Sequence, residues 1–166
     1  NGFPLLETLK LTSSFVARVS NAKKPLAVAF YDHASQTEEQ ITESLQLFKA
    51  LAAKFASKVV FTKSDLAAYP SVPESWGASG KKFPALFLIL FNQEQPSFKT
   101  YDEDAAFSEE LVSAWIEGCA AGKECPSFLL SEPIPEEDNE PVKTVVAKNF
   151  DQVVRDPTKA VFVDFY

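Results

Sequence analysis

The stretch that decides the fold reads KPLAVAFYDH and spans residues 24–33. Six apolar or aromatic residues follow Pro25 without a break, and Asp32 and His33 then end the run. A short run that is apolar on both faces is typical of a central strand that is covered on both sides of a sheet. A helix is predicted from about Thr37, so a polar corner joins strand and helix, where many α/β proteins bind their ligands.

The same pattern recurs near the end of the sequence. Residues 15–31 align without gaps with residues 150–166, and six of the 17 positions are identical. Each copy combines a short helix, a turn and a strand that ends in Phe-Tyr. This shared order of elements indicates that one type of domain occurs twice, the second time only as its opening elements.

The composition limits both the domain count and the partners. A chain of 166 residues that is 46% hydrophobic fits one domain with an extension. The net charge of −7 argues against nucleic acid and anionic membranes as partners. The longest apolar run, at residues 83–91, is too short to span a bilayer. The chain contains no Met, so we interpret it as a processed or excised product.

The remaining patterns predict helices that alternate with strands, then a hairpin and a closing helix. In chain order they are a strand at 3–8, a helix capped by Thr12 or Ser13, the strand 26–31, a helix opened by a capping box at Ser35 and Glu38, a strand at 59–62, a short helix before Trp76, strands at 83–91 and 97–101, and a helix from Ser108 to Gly122. This order predicts an α/β thioredoxin-like fold for residues 1–122, with a mixed central sheet and helices on both faces.

The sequence changes character after residue 122. Residues 123–141 contain four Pro and many acidic residues, which predict an acidic, semi-extended linker. One apolar island interrupts it, at Phe128, Leu129 and Leu130. Residues 142–166 predict a truncated β-α-β unit, with strands at 142–146 and 160–166 and Asn149 as the helix cap. Because this unit buries little surface, we expect it to be disordered or to self-associate through a strand edge.

Two segments in this last third resemble the protein disulfide isomerase family. The sequence SEPIPE at 131–136, followed by PVKTVVAKNF at 141–150, resembles the linker between the family's second non-catalytic domain and its second catalytic domain. VFVDFY at 161–166 resembles the strand that precedes the family's Cys-Gly-His-Cys motif. Residues 1–122 are more loosely similar to the second non-catalytic domain, called b′. The resemblance implies the endoplasmic reticulum lumen and a parent protein that forms, reduces and rearranges disulfide bonds.

The residues for that chemistry are missing from the chain. The corner at 32–36 reads DHASQ, without a Cys, whereas dithiol exchange needs two nearby thiols. We therefore expect no catalytic residue, metal or cofactor in this chain. The spacing of Cys119 and Cys125 fits neither a redox Cys-x-x-Cys nor a zinc site. They either close a small structural loop as a disulfide or stay separate thiols, and the sequence favours separate thiols.

The resemblance implies a binding role, because b′ is the family's principal binding domain for unfolded or misfolded polypeptide. It places an apolar groove beside the corner and a cis bond before Pro84. Because an apolar island in an acidic linker needs a surface to bury against, we expect Phe128, Leu129 and Leu130 to fold over this groove and compete with the client. The expected groove residues are Tyr31, His33, Trp76, Phe83 and Pro84. For each aromatic residue the alternative is core packing, and for His33 it is a solvated loop position. For the whole chain the alternatives are a redox-active fragment that uses Cys119 and Cys125, or a spacer beside neighbouring thioredoxin domains with no client site.

Overall fold

The computed structural model describes residues 5–8, 12–91, 96–122, 141–146 and 149–164. Its elements follow the predicted order through residue 120. They are β1 (Glu7–Thr8), α1 (Ser13–Ala22), β2 (Leu26–Tyr31), α2 (Glu38–Lys54), β3 (Val60–Asp65), a 3-10 turn (Leu66–Ala68), α3 (Val72–Ser75), β4 (Ala85–Leu90), β5 (Ser97–Thr100), α4 (Glu109–Ala120) and α5 (Phe150–Val154).

The five strands form one mixed sheet in the order β1-β3-β2-β4-β5. β1, β3 and β2 are parallel, and β4 and β5 are added antiparallel to their neighbours. At the centre of the sheet, Val28 lies between Thr62 of β3 and Phe87 of β4. The stretch at residues 24–33 therefore supplies the central strand, as its apolar run predicts.

Helices cover both faces of this sheet, which confirms the predicted fold class. Side chains of β2 alternate between the two faces. Ala27 and Tyr31 join a core cluster with Phe48 of α2 and Ile116 of α4. On the opposite face, Phe30 joins a separate cluster that α1 and α3 help to cover.

The capping box of α2 lies two residues later than predicted. Thr37 is the N-cap: its hydroxyl accepts a 3.2 Å hydrogen bond from the Gln40 N–H, and Gln40 Oε1 accepts a 2.9 Å bond from the Thr37 N–H. The Gln36 N–H donates to the Asp32 carbonyl at 2.9 Å, which closes a turn through residues 33–35. Ser35 lies inside that turn and so cannot cap the helix.

The strands predicted after the linker are wrong wherever the structure describes them. Residues 142–146 and 160–164 form no β-strand, and Val142 and Phe162 are 84% and 96% exposed. None of the five described strands pairs with these segments, and a strand without a partner is not stable on its own. α5 begins directly after Asn149, whose Oδ1 accepts a 2.7 Å bond from the Val146 N–H. The linker through residue 140, including its apolar island, lies outside the described residues.

Candidate functional site

The corner between β2 and α2 is closed by its own hydrogen bonds. The Asp32 N–H donates to Gln36 Oε1 at 3.0 Å, and the Ala34 N–H donates to the Asp32 carboxylate at 3.0 Å. Hydrogen bonds from the Ser35 hydroxyl and the Ala34 N–H hold the pKa of Asp32 below its usual value. The corner contains no thiol, so it has no nucleophile for disulfide exchange.

His33 connects this corner to the end of β3. Its Nδ1 lies 3.3 Å from Glu38 Oε1, and its Nε2 lies 3.8 Å from Asp65 Oδ2. The imidazole is half-exposed, and its two partners are carboxylates rather than a thiol or a hydroxyl. Across the described ranges, no group of three or more His, Cys, Asp or Glu side chains is arranged to hold a metal ion.

Two clefts open beside the Phe83–Pro84 peptide bond, which is cis as predicted. The larger has a volume of about 510 Å³ and the smaller about 110 Å³. Both are lined by Lys82, Phe83, Pro84 and Glu103. Ser35, Gln36, Gln40, Glu43, Ser44 and Lys81 complete the larger cleft, and Leu86, Tyr101, Asp102, Ala105 and Phe107 complete the smaller one. The larger cleft is thus polar apart from its Phe83–Pro84 wall, whereas the smaller one is largely apolar.

Of the five residues expected around an apolar groove, only Phe83 and Pro84 line these clefts. Tyr31 is 3% exposed and belongs to the core cluster on the α2 side of the sheet. Its hydroxyl has no hydrogen-bond partner among the described residues, and burial raises the pKa of Tyr31 above its usual value. Trp76 is partly buried and packs on the opposite core cluster. His33 lies at the corner but lines neither cleft.

Several residues of the clefts are not among the expected groove residues, although two sequence patterns point to them. Gln36, Gln40 and Glu43 recur at helical spacing on the polar side of the α2 region, opposite its buried residues. Phe107 directly precedes Ser108, the N-cap of α4, a position where an apolar residue often packs against the fourth residue of the helix. Tyr101 is fixed at the smaller cleft because its hydroxyl donates a 2.9 Å bond to the Ala106 carbonyl.

Cys119 is disulfide-bonded, so the expectation of separate thiols is wrong. It lies in the last turn of α4, is 2% exposed and packs in the core cluster on the α2 side. The sequence contains one other Cys, Cys125, which falls outside the described residues. A buried, bonded sulfur offers no thiolate for exchange, so this position does not support a redox-active fragment.

Among the described helices, none combines the length and apolar character that a bilayer span requires. Residues 2–118 match the family described as "Thioredoxin-like domain". The chain is 33% identical over 144 residues to the protein disulfide-isomerase of Humicola insolens, which covers 86% of this chain and 27% of that protein. It is 34% identical over 170 residues to protein disulfide-isomerase A2 of Mus musculus, covering 99% of this chain and 31% of that protein.

The solved structure of Trichomonas vaginalis thioredoxin superposes with a TM-score of 0.50 at 20% identity, over 69% of this chain and 97% of that one. This likeness concerns the fold alone. The two curated relatives confirm the resemblance to protein disulfide isomerases, although the chain spans less than a third of their length. Because the family match covers most of the residues that form the sheet and its helices, the chain belongs to the thioredoxin-like domain family.

Proposed function

We propose that this chain is a non-catalytic, substrate-binding part of a protein disulfide isomerase and occupies the b′ position. It binds unfolded or misfolded polypeptide at the two clefts beside Phe83 and Pro84. The observation that carries the proposal is the position of this partly exposed pair, which separates an apolar cleft from a polar one next to a corner without a thiol.

The clefts suit an extended polypeptide better than a small rigid ligand. The smaller cleft, with Leu86, Ala105 and Phe107 in its wall, accepts a single apolar side chain, whose burial supplies the affinity. The larger cleft offers amide, hydroxyl and charged side chains that suit the polar groups of the same segment. Neither cleft recognises a particular sequence through a specific pocket for each residue, which fits a protein that binds many unfolded clients.

The wider context of the proposal comes from the relatives. Residues 1–122 form the b′-type domain, residues 123–141 the linker, and residues 142–166 the beginning of a catalytic domain. The parent protein catalyses disulfide formation, reduction and rearrangement in the endoplasmic reticulum lumen, and this chain presents clients to its neighbouring thioredoxin domains. In this proposal the apolar island Phe128, Leu129 and Leu130 folds over the clefts and competes with the client.

We also propose that Cys119 pairs with Cys125 in a structural rather than a catalytic disulfide. The chain contains no further Cys that could be its intramolecular partner. The burial of Cys119 against α2 supports a structural role, since a catalytic disulfide must be reached by its substrate.

Titration with an unstructured apolar peptide, followed by calorimetry, tests the binding role. We expect saturable binding that weakens about tenfold, or ~1.4 kcal/mol, in Phe83→Ala and Phe107→Ala. Phe98→Ala is the matched control, because this exposed phenylalanine lines neither cleft. The triple variant Phe128→Ser/Leu129→Ser/Leu130→Ser should bind the peptide more tightly than the unmodified chain.

Two outcomes would favour the other functions. If the unmodified chain bound no peptide and the serine variant bound none either, a spacer domain would remain. A disulfide-reduction activity that disappears in Cys119→Ser would instead support the redox-active fragment.

A further inference from the structure

Carboxylates outnumber cations among the side chains that line the two clefts. Five charged side chains line them: Lys81, Lys82, Glu43, Asp102 and Glu103. Lys82 forms an ion pair with Asp104, which lies outside both linings, so its positive charge is already matched. In the larger cleft Lys81 then stands against two carboxylates, Glu43 and Glu103. Asp102 adds a third carboxylate in the smaller cleft, so the surface around Phe83 and Pro84 is locally acidic.

Glu103 is the carboxylate that both clefts share. Its Oε1 accepts a 3.0 Å hydrogen bond from the Ser79 N–H, which fixes the carboxylate at the boundary between the clefts. Glu43 faces the larger cleft from α2, and the described residues give it no ion pair. The polar cleft is therefore bordered by one positioned carboxylate and one that is available to a ligand.

We propose that the clefts select a polypeptide segment in which an apolar side chain is followed or preceded by a basic one. The inference rests on the proposed function, namely that the clefts bind polypeptide. The apolar side chain enters the smaller cleft, and the adjacent Lys or Arg extends past Phe83 into the larger cleft, between Glu103 and Glu43. A volume of about 510 Å³ leaves room for such a side chain together with water.

The expected selectivity is modest because these carboxylates are near the surface. Exposed ion pairs contribute roughly 0.2–1 kcal/mol each, so two of them change affinity about fivefold. The contribution is screened by salt, whereas the apolar contact is not weakened by it. Charge therefore selects among clients that all share an apolar residue.

Three unstructured peptides test the proposal, each with one central Phe that is flanked by two Lys, two Gln or two Glu. Calorimetric titration of the full chain at low salt should rank them Lys over Gln over Glu, with the Lys peptide binding about fivefold more tightly than the uncharged Gln peptide. High salt should bring the three affinities together. In the double variant Glu43→Gln/Glu103→Gln the ranking should disappear, because both carboxylates become neutral while the glutamine at 103 can still accept from Ser79.

The matched control is Glu39→Gln/Glu117→Gln, which changes the net charge by the same amount as the cleft variant. Both of its positions are exposed and lie outside the clefts. This variant should keep the full ranking. Equal binding of the three peptides, or a ranking that the control loses as completely as the cleft variant, would overturn the charge selection while leaving peptide binding intact. Binding of none of the peptides would overturn the proposed function as well.

Discussion

The rings of Phe30 and Trp76 meet edge to face, with their centroids 5.7 Å apart. Trp76 makes a second edge-to-face contact with Phe87, at 5.4 Å, and its backbone carbonyl accepts a 2.9 Å hydrogen bond from the Thr100 hydroxyl. Residues of β2, β4 and β5 thus contact Trp76, which directly follows the four-residue helix α3. Trp76 closes the core on this face of the sheet, and its large apolar surface serves packing rather than the clefts.

Replacing Trp76 with Ala should therefore lower the free energy of unfolding by about 2–4 kcal/mol, since a large aromatic side chain leaves a cavity behind. Urea unfolding followed by circular dichroism measures this loss. Leu111→Ala is the control: this side chain is 48% exposed on α4 and should cost less than about 1 kcal/mol. A Trp76→Ala variant that unfolds like the parent but no longer binds peptide would make Trp76 a binding residue after all.

The sequence predicts those parts of the fold that depend on local pattern. The apolar run of β2 and the helical spacing of Phe48 and its neighbours require only neighbours in sequence. Both Ser35 and Thr37 have Glu or Gln three residues later, so only the turn that begins at Asp32 decides between them. Whether Trp76 is buried likewise depends on the residues that pack around it, which the local sequence pattern does not show.

The site depends on contacts between distant segments, and these are not visible in local pattern. The antiparallel pairing of β4 with β5 brings Tyr101 and Phe107 to the Phe83–Pro84 bond. The backbone N–H of Tyr101 donates to the Leu86 carbonyl at 2.9 Å, which places both residues in the wall of the smaller cleft. An aromatic residue in the sequence predicts burial, but only the strand register determines which cleft it reaches.

The position of the capping box can be tested by two single substitutions. Thr37→Ala removes the hydroxyl that accepts from Gln40 and should lower the free energy of unfolding by about 1 kcal/mol. Ser35→Ala should cost less, because Ser35 caps no helix and only supports the Asp32 carboxylate. Urea denaturation of both variants gives the comparison. A larger loss in Ser35→Ala would place the helix start where the sequence pattern alone puts it.

The buried hydroxyl of Tyr31 should make the protein sensitive to alkali. Because burial raises the pKa of Tyr31, the unfolded chain releases this proton first, at an ordinary pKa of about 10. Below that pH the ionisation of Tyr31 costs no stability, and the free energy of unfolding falls as the pH rises further. Tyr31→Phe also removes a hydroxyl without a partner among the described residues, so stability at neutral pH should be unchanged or higher by up to ~1 kcal/mol.

Urea denaturation of Tyr31→Phe and the parent at neutral pH and above pH 10 measures both effects. The variant should lose less stability on going to high pH. Tyr101→Phe is the comparison, since it removes a hydroxyl that does have a partner, the Ala106 carbonyl, and should be destabilising at neutral pH. An identical alkaline loss in Tyr31→Phe and the parent would contradict the assignment.

The disulfide at Cys119 should contribute to stability rather than to exchange chemistry. If its partner is Cys125, removing the bond in Cys119→Ala/Cys125→Ala should lower the free energy of unfolding by roughly 2 kcal/mol, as expected for so short a loop. The unmodified chain, denatured without reductant, should yield no free thiol to a thiol reagent. Two titratable thiols under those conditions would show that the bond is absent in solution.

Replacement by alanine should have opposite effects on stability at Gly80 and Gly118. Gly80 has a φ of +69°, and a Cβ there would lie 2.6 Å from Glu74 Oε1. Because that carboxylate can move, the main cost of Gly80→Ala is the left-handed backbone, about 1–2 kcal/mol. Gly118 lies within α4, and a Cβ at this position would meet no described atom within 4 Å, so Gly118→Ala should raise stability by about 0.5–1 kcal/mol.

Thermal unfolding of both glycine variants should shift the midpoint in opposite directions. Gly80 directly precedes Lys81 and Lys82 in the cleft wall, so Gly80→Ala should also weaken peptide binding, whereas Gly118→Ala should leave it unchanged. A Gly80→Ala variant as stable as the parent would mean that the loop adopts another backbone conformation in solution. If that variant also bound peptide normally, the loop before Phe83 would not shape the clefts.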